Sequence, residues 1–309
     1  MTGKVVMIGT SPATQGGVGA VISVYSATGL FDTGDPRYLA THCDGTFMQK
    51  LAVAARAWVR YLAMLLGRRV RLLHVHSASG PSFWRKYWFM MPTFALGLPV
   101  VLHWHGGGFV EFYRRSPRWQ QRLIAWVFAR SDRVVALSAQ WHNTLSTLFP
   151  LARVVTIPNP VQLGERPADR AAGSARLLFL GRIVVEKGVE DLLQAMPSVL
   201  ERVPGCSLVM AGTGDLQRHR ELASRLGVGH AVEFPGYVEG AAKSALLSQA
   251  SVFVLPSHIE AMPMSVLEAM AHGLPVAATT VGGIPQAVRH GVDGLLFEPR
   301  NVSALADAL

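Results

Sequence analysis

Short apolar runs alternate with longer stretches of helical spacing along most of the chain. In the first half, the runs at 5–8, 71–75, 100–104, 133–137 and 153–157 are rich in Val, Leu and Ile, and each predicts a buried strand. Between them, 17–28, 47–66, 83–96, 109–129 and 139–148 read as helices. Strands apolar on both faces and separated by helices predict a parallel sheet covered on both sides. The alternation stops at 158–175, P-N-P-V-Q-L-G-E-R-P-A-D-R-A-A-G-S-A, where Pro, Gly and polar residues give a linker signature. It then restarts, with strands at 176–180, 207–211, 232–234, 252–255 and 276–278 and helices at 189–200, 215–226, 240–249 and 264–272. The expectation is two α/β domains, 1–160 and 176–309, with a linker at 161–175. In open parallel sheets ligands bind beyond the carboxyl ends of the strands. The loops that follow the strands are therefore where chemistry is expected.

Composition narrows the class. The chain has 309 residues, is 50% hydrophobic and has a mean hydropathy of +0.28. That is enough for two cores and excludes a disordered or collagen-like chain. The two cysteines, Cys43 and Cys206, are far apart, which excludes a disulfide scaffold and a zinc module and suggests a reducing compartment. The apolar start is too brief for a signal peptide. The longest apolar stretch, 87–102, is broken by Pro92, Gly97 and Pro99 and falls short of the ~20 residues of a spanning helix. A cytoplasmic, soluble or peripheral protein is expected.

Charge is uneven. Up to residue 165 there are 17 Lys+Arg and 6 Asp+Glu, a net +11; beyond it there are 12 and 14, a net −2. The cations have aromatic neighbours: Arg56, Arg60, Arg68, Arg69 and Arg71 around Trp58 and Tyr61; Arg85 and Lys86 beside Trp84 and Trp88; Arg114, Arg115, Arg118 and Arg122 around Tyr113 and Trp119. That combination suits the anionic inner face of a cytoplasmic membrane. A solvated basic surface explains the charge as well. No nucleic-acid motif accompanies it, so nucleic acid is not an expected partner.

Four loops hold candidate chemistry. T-S-P-A-T-Q-G-G-V-G after the first strand brings Gly16 and Gly17 to a helix start, where backbone can approach an anion; a tight turn would use the same residues. It is not the G-x-G-x-x-G of a nicotinamide site. G-R-I-V-V-E-K-G opens the second domain, with Arg182 and Lys187 ahead of a helix, an arrangement that suits a diphosphate. P-S-H-I-E-A-M-P-M-S-V-L-E-A-M-A-H-G-L-P-V runs strand, loop, helix, turn and strand, with Glu260 in the loop and Glu268 inside an apolar helix. A carboxylate there needs a partner, and sugar hydroxyls are good ones. V-V-L-H-W-H-G-G-G ends a strand with His103 and His105; His-x-His can ligate metal, but no third ligand is visible and no metal site is expected.

The spacing Glu260-x7-Glu268, together with G-R-x4-K-G from Gly181, resembles the retaining nucleotide-sugar glycosyltransferases of family 4, which have the GT-B fold. G-G-V-G, V-L-H-W-H-G, I-P-N-P, A-G-T-G-D, F-P-G-Y-V, L-P-S-x-x-E, A-x-G-L-P-V and G-x-D-G-L-L-F agree in order, so the likeness covers nearly the whole chain. The first half, with H-V-H-S-A-S-G-P-S-F-W-R-K-Y and H-W-H-G-G-G-F-V-E-F-Y, looks like bacterial exopolysaccharide transferases acting on polyprenyl-linked acceptors. The resemblance implies two Rossmann-like domains facing a central cleft, acceptor in the first and nucleotide sugar in the second. It implies that Arg182 and Lys187 hold the donor diphosphate, Glu268 the ribose and Glu260 the transferred sugar. The backbone of Ala261, Met262, Pro263 and Met264 would close over sugar and phosphate, Gly16 and Gly17 would approach the donor, and His105 would lie near the reacting carbon. The donor would be a UDP- or GDP-sugar, with no cofactor. No Asp-x-Asp occurs, so the reaction is expected to need no metal. Family members usually continue past the helix that begins near residue 302, so the second domain looks short. A GT-B sugar-nucleotide-binding protein that is not a transferase, epimerase-like or an inactive short form, is the alternative.

Overall fold

The computed structural model describes residues 3–164 and 175–309. Most of the expected linker, 165–174, lies outside the described residues. The chain divides into two compact units, Met1–Pro160 and Val161–Leu309. Each is a six-stranded, wholly parallel sheet with helices between successive strands.

The first sheet holds β1 (Lys4–Gly9), β2 (Arg37–Ala40), β3 (Val70–Ser77), β4 (Val100–Trp104), β5 (Arg133–Ala136) and β6 (Val154–Thr156) in the order β2-β1-β3-β4-β5-β6. The order reverses between β1 and β3. The second holds β7 (Arg176–Leu180), β8 (Ser207–Ala211), β9 (Val232–Gly236), β10 (Val252–Leu255), β11 (Val276–Thr279) and β12 (Gly294–Phe297) in the order β12-β11-β10-β7-β8-β9. Its reversal lies between β7 and β10, paired at Val252↔Leu177 and Phe253↔Leu178. At such a reversal the helices leave to opposite faces, and a crevice opens at the strand ends.

Burial explains the strands. Phe179, Phe253, Val254 and Leu255 are wholly buried, as residues of a doubly covered sheet must be. The helix Val189–Arg202 lays Val189, Leu192, Leu193, Met196 and Val199 against them, one helical stripe. In the first unit Trp104, Phe109, Phe128 and Phe149 form a contiguous aromatic core, with Phe128 and Phe149 stacked at 4.3 Å between centroids.

Ten of the twelve strands fall where the apolar runs predict them. β2 and β12, two of the four edge strands, do not; β2, R-Y-L-A, has one buried residue and begins on an exposed arginine, and β12, G-L-L-F, buries only Phe297. The helix expected over 109–129 is two, Phe109–Arg115 and Arg118–Arg130. Pro117 drives Ser116 out of the helical region, to φ −69° and ψ 143°. Among the described residues no helix is long and apolar enough to cross a membrane.

Candidate functional site

The strand reversal of the second sheet brings together residues that lie far apart in sequence. The loop after β7 carries Arg182 and Lys187; the loop after β10 carries Glu260. Lys187 Nζ donates to Glu260 Oε1, which also accepts from Ser257 Oγ at 2.8 Å. The Lys187 side chain is 20% exposed and that of Glu260 is 9% exposed. Arg182 is exposed and makes no ion pair among the described residues. One free guanidinium and one half-buried ammonium therefore stand at the mouth of the crevice.

Backbone contacts hold these loops in place. Gly188 has φ +67°, and a Cβ there would overlap the Pro256 carbonyl oxygen. The His258 N–H donates to the Glu186 carbonyl at 2.8 Å, and the His258 ring meets Asp191 Oδ2 at 2.7 Å. From the next strand, Thr279 Oγ1 donates to the Ser257 carbonyl at 2.6 Å, and the Gly283 N–H donates to the Ala261 carbonyl at 2.6 Å. The helices Val189–Arg202 and Met264–Ala271 both begin here without a side-chain cap, Gly188 and Pro263 being their N-caps. Their first-turn N–H groups suit an anion's oxygens. The side chains of Ala261, Met262, Pro263 and Met264 are buried, so this stretch can offer a ligand only its backbone.

Glu268 sits in the helix Met264–Ala271 with its side chain 17% exposed. Its partner is Lys243, whose Nζ lies 2.8 Å from Glu268 Oε1. The two residues lie 25 positions apart in sequence. Lys243 was legible as the sole charged residue of the helix Gly240–Gln249.

In the first unit Gly16, at φ +119°, caps the helix Gly17–Ala27, and nothing lies near where its Cβ would be. His105 follows β4. Its N–H donates to the Ser77 carbonyl at 2.8 Å, and its Nε2 lies 2.8 Å from His76 Nδ1. His74 Nε2 and His103 Nδ1 are 3.3 Å apart. Four imidazoles are thus stacked at one end of the sheet. Burial and neighbouring cationic groups push His105 down to about 3; burial alone pushes His74 down to about 4. Burial also drives His76 and His103 well below the ordinary histidine range, so the cluster is uncharged at neutral pH. Register brings histidines of β3 beside His103, which the sequence reading of His103 and His105 did not consider. β3 pairs with β4 at His76↔His103, and His74, His76 and His103 offer ligand atoms within 4.8 Å of one another. The signal was a second His-x-His, at 74–76.

The basic aromatic surface is only partly as expected. Trp88 and Trp119 are 64% and 60% exposed, but Tyr61 is wholly buried and its hydroxyl pairs with Thr93 Oγ1. Lys86, expected at the surface, is 2% exposed.

Two family models match the chain: one described as Glycosyltransferase Family 4 over residues 24–165, the other as Glycosyl transferases group 1 over residues 174–309. A glycogen synthase of Mycobacterium tuberculosis is 35% identical over 198 residues, 60% of this chain and 46% of that protein. A GDP-mannose-dependent alpha-(1-6)-phosphatidylinositol monomannoside mannosyltransferase of the same organism is 36% identical over 156 residues, 48% and 38% of the two. The chain spans about half or less of the length of these relatives. Sucrose-phosphate synthase from Thermosynechococcus elongatus superposes with a TM-score of 0.78 at 21% identity, covering 99% of this chain and 88% of that one. The Anabaena protein HepE, solved with UDP, does so with a TM-score of 0.76 at 19% identity, covering 98% and 88%. At these identities the likeness is one of fold.

Proposed function

This chain belongs to the family 4 glycosyltransferases and has their GT-B-type fold, and from that premise we propose that it transfers a hexose from a nucleotide diphosphate sugar to a glycan or polyprenyl-linked acceptor, with retention at the anomeric carbon, in bacterial polysaccharide synthesis. The observation that carries the proposal is the pairing of Lys187 with Glu260 at the strand reversal of the second sheet, with Arg182 in the same loop as Lys187 and two uncapped helix starts beside them.

In this reading Arg182 and Lys187 neutralise the donor diphosphate and the charge that grows on it as the nucleotide leaves. Fixed cations in a crevice need no reorganisation during the reaction, which is what makes them effective. Glu260, oriented by Lys187 and Ser257, accepts from hydroxyls of the transferred sugar. Glu268 accepts from the ribose, with Lys243 holding its carboxylate. The backbone from Ala261 to Met264 closes over the sugar and phosphate. No protein nucleophile is assigned. The acceptor attacks on the face the phosphate leaves, and the leaving phosphate takes the acceptor's proton. Positioning and phosphate stabilisation then supply the rate. The charge on Arg182 and Lys187 replaces a bridging metal ion.

Calorimetry with a panel of UDP- and GDP-sugars tests the donor site. One donor is expected to bind saturably, about tenfold or more weaker in Glu268→Ala, a charged hydrogen-bond acceptor being lost. The same titration is expected to give equal affinity with magnesium and with a chelator. A donor whose binding disappears in chelator would remove the metal-free reading; a panel with no binder would remove the transferase reading.

A peripheral place on the inner face of the cytoplasmic membrane accompanies this proposal, supported by exposed Trp88 and Trp119 among Arg114, Arg115, Arg118 and Arg122. The chain is expected to sediment with vesicles containing anionic lipid at low salt and to be released as salt rises. Failure to sediment at low salt would rule the membrane out.

A further inference from the structure

Between Asp44 and Glu111 the sequence contains no carboxylate. The helix Pro81–Ala95 lies in the middle of that stretch and begins beyond the end of β3, beside the strand reversal of the first sheet. Ser82, Arg85 and Lys86 are spaced i, i+3 and i+4 on it, so they share one face. Lys86 is 2% exposed, and its Nζ donates to Ser82 Oγ at 2.7 Å. Among the described residues no carboxylate pairs with Arg85 or Lys86. Arg85 Nε is buried with no hydrogen-bond partner, and so is Ser79 Oγ in the loop just before the helix. The N-cap, Gly80, has no side-chain cap.

A buried lysine almost always has an ionic partner, because the uncompensated charge is costly. Arg85 and histidines act on Lys86 and its surroundings, and the carboxylate that reaches the region, Asp44 beside His42, forms an ion pair with neither Arg85 nor Lys86. Arg85 is on its own helix, His76 is on β3, His105 follows β4, and His42 follows β2. Burial, and then Arg85, lower Lys86 to about 7. A divalent cation held by His74, His76 and His103 would add two positive charges near Arg85 and Lys86, neither of which is paired with a carboxylate, so the local field opposes a metal. It favours the opposite sign. Two cations with no carboxylate partner, beside the unpartnered Arg85 Nε and Ser79 Oγ, match a ligand that carries several anionic oxygens.

We propose that Ser82, Arg85 and Lys86 form the binding site for the diphosphate of a polyisoprenyl-linked acceptor. The proposal deepens the transferase reading and rests on it. A lipid-linked acceptor is favoured over a free anion because apolar surface adjoins the cations. Trp84 and Trp88 lie on the same helix, Trp84 packs 6.3 Å from Trp119, and Trp88 and Trp119 are mostly exposed. An isoprenoid chain leaving the diphosphate would find rings to cover.

The test is calorimetry of the full chain with farnesyl diphosphate as probe, against inorganic diphosphate and farnesol. Farnesyl diphosphate is expected to bind saturably and more tightly than inorganic diphosphate, and farnesol not to bind. Arg85→Gln and Lys86→Met are each expected to weaken farnesyl diphosphate about tenfold or more, the loss of one charge-assisted contact. Met fills the buried stem volume of Lys86, and Arg85 is partly exposed. Both variants should therefore melt within a few degrees of the parent and bind UDP as it does. Unchanged affinity in both variants would overturn the proposal. So would competition between farnesyl diphosphate and UDP with loss in Lys187→Ala, which would place the anion in the donor site. Inorganic diphosphate binding as tightly as farnesyl diphosphate would overturn the lipid-linked acceptor. UDP titrates the donor site and farnesyl diphosphate this one, so failure of the donor reading and failure of this site show in different titrations.

Discussion

Lys187→Ala is expected to lower kcat/KM for sugar transfer about 10²- to 10³-fold, the range seen when one preorganised donor is removed from a developing anion. Two losses combine. The donor diphosphate loses one of two cations, and the second, Arg182, is exposed and more screened by solvent. Glu260, 9% exposed, loses the ammonium that orients it together with the Ser257 hydroxyl. Removing one partner of a largely buried ion pair is costly and disturbs the geometry of the carboxylate that remains. The fall should appear in kcat as well as KM, because charge on the leaving phosphate is greatest in the transition state. Steady-state kinetics with the identified donor checks this. A change confined to KM would mean that Lys187 only binds the donor, and a change below threefold would remove it from the site. Lys187→Ala combined with Glu260→Gln should lose less than the two single effects summed, since the residues act as a pair.

Gly188→Ala is expected to destabilise the second unit by about 2–4 kcal/mol, a sum of left-handed backbone strain and a backbone overlap that cannot relax by a rotamer change. For a unit of this size that is a melting-temperature fall of about 5–15 °C. The new Cβ would meet the Pro256 carbonyl, the first residue after β10. The loops bearing Lys187 and Glu260 would be forced apart, so UDP affinity should fall with stability. Gly227 supplies the contrast. Its φ is +74°, but nothing lies within 4 Å of where its Cβ would be. Gly227→Ala should cost only the strain, about 1 kcal/mol, and leave UDP binding unchanged. Equal costs at the two glycines, read by thermal melts and calorimetry, would show that close approach of the two loops is not what Gly188 provides.

The division between what the sequence and the tertiary structure decide follows from the range of the forces. Central strands are fixed by local composition. The run at 176–180 must be buried on both faces wherever it goes, and its bounds coincide with those of β7. The same holds at 100–104, 207–211 and 252–255. The strand-end loops that carry Arg182, Lys187, Glu260 and His105 were legible for the same reason, because a parallel sheet sends its loops to one end. β2 and β12 were not, since each buries a single residue and so carries little apolar signal. Partners were not legible either. That Lys187 turns to Glu260, 73 residues on, follows from β7 lying beside β10, and the strand order is a product of the whole unit's packing. Glu268 announces that it needs a partner, but only the folded chain supplies Lys243. Two His-x-His pairs look independent in sequence and become one cluster through the register of β3 on β4. Lys86 looks like a surface lysine, and only burial makes it a charge in want of an anion. Hydrophobic patterning acts over a few residues and can be read along a line; pairing of charges is decided by distances that exist only after the sheet has formed.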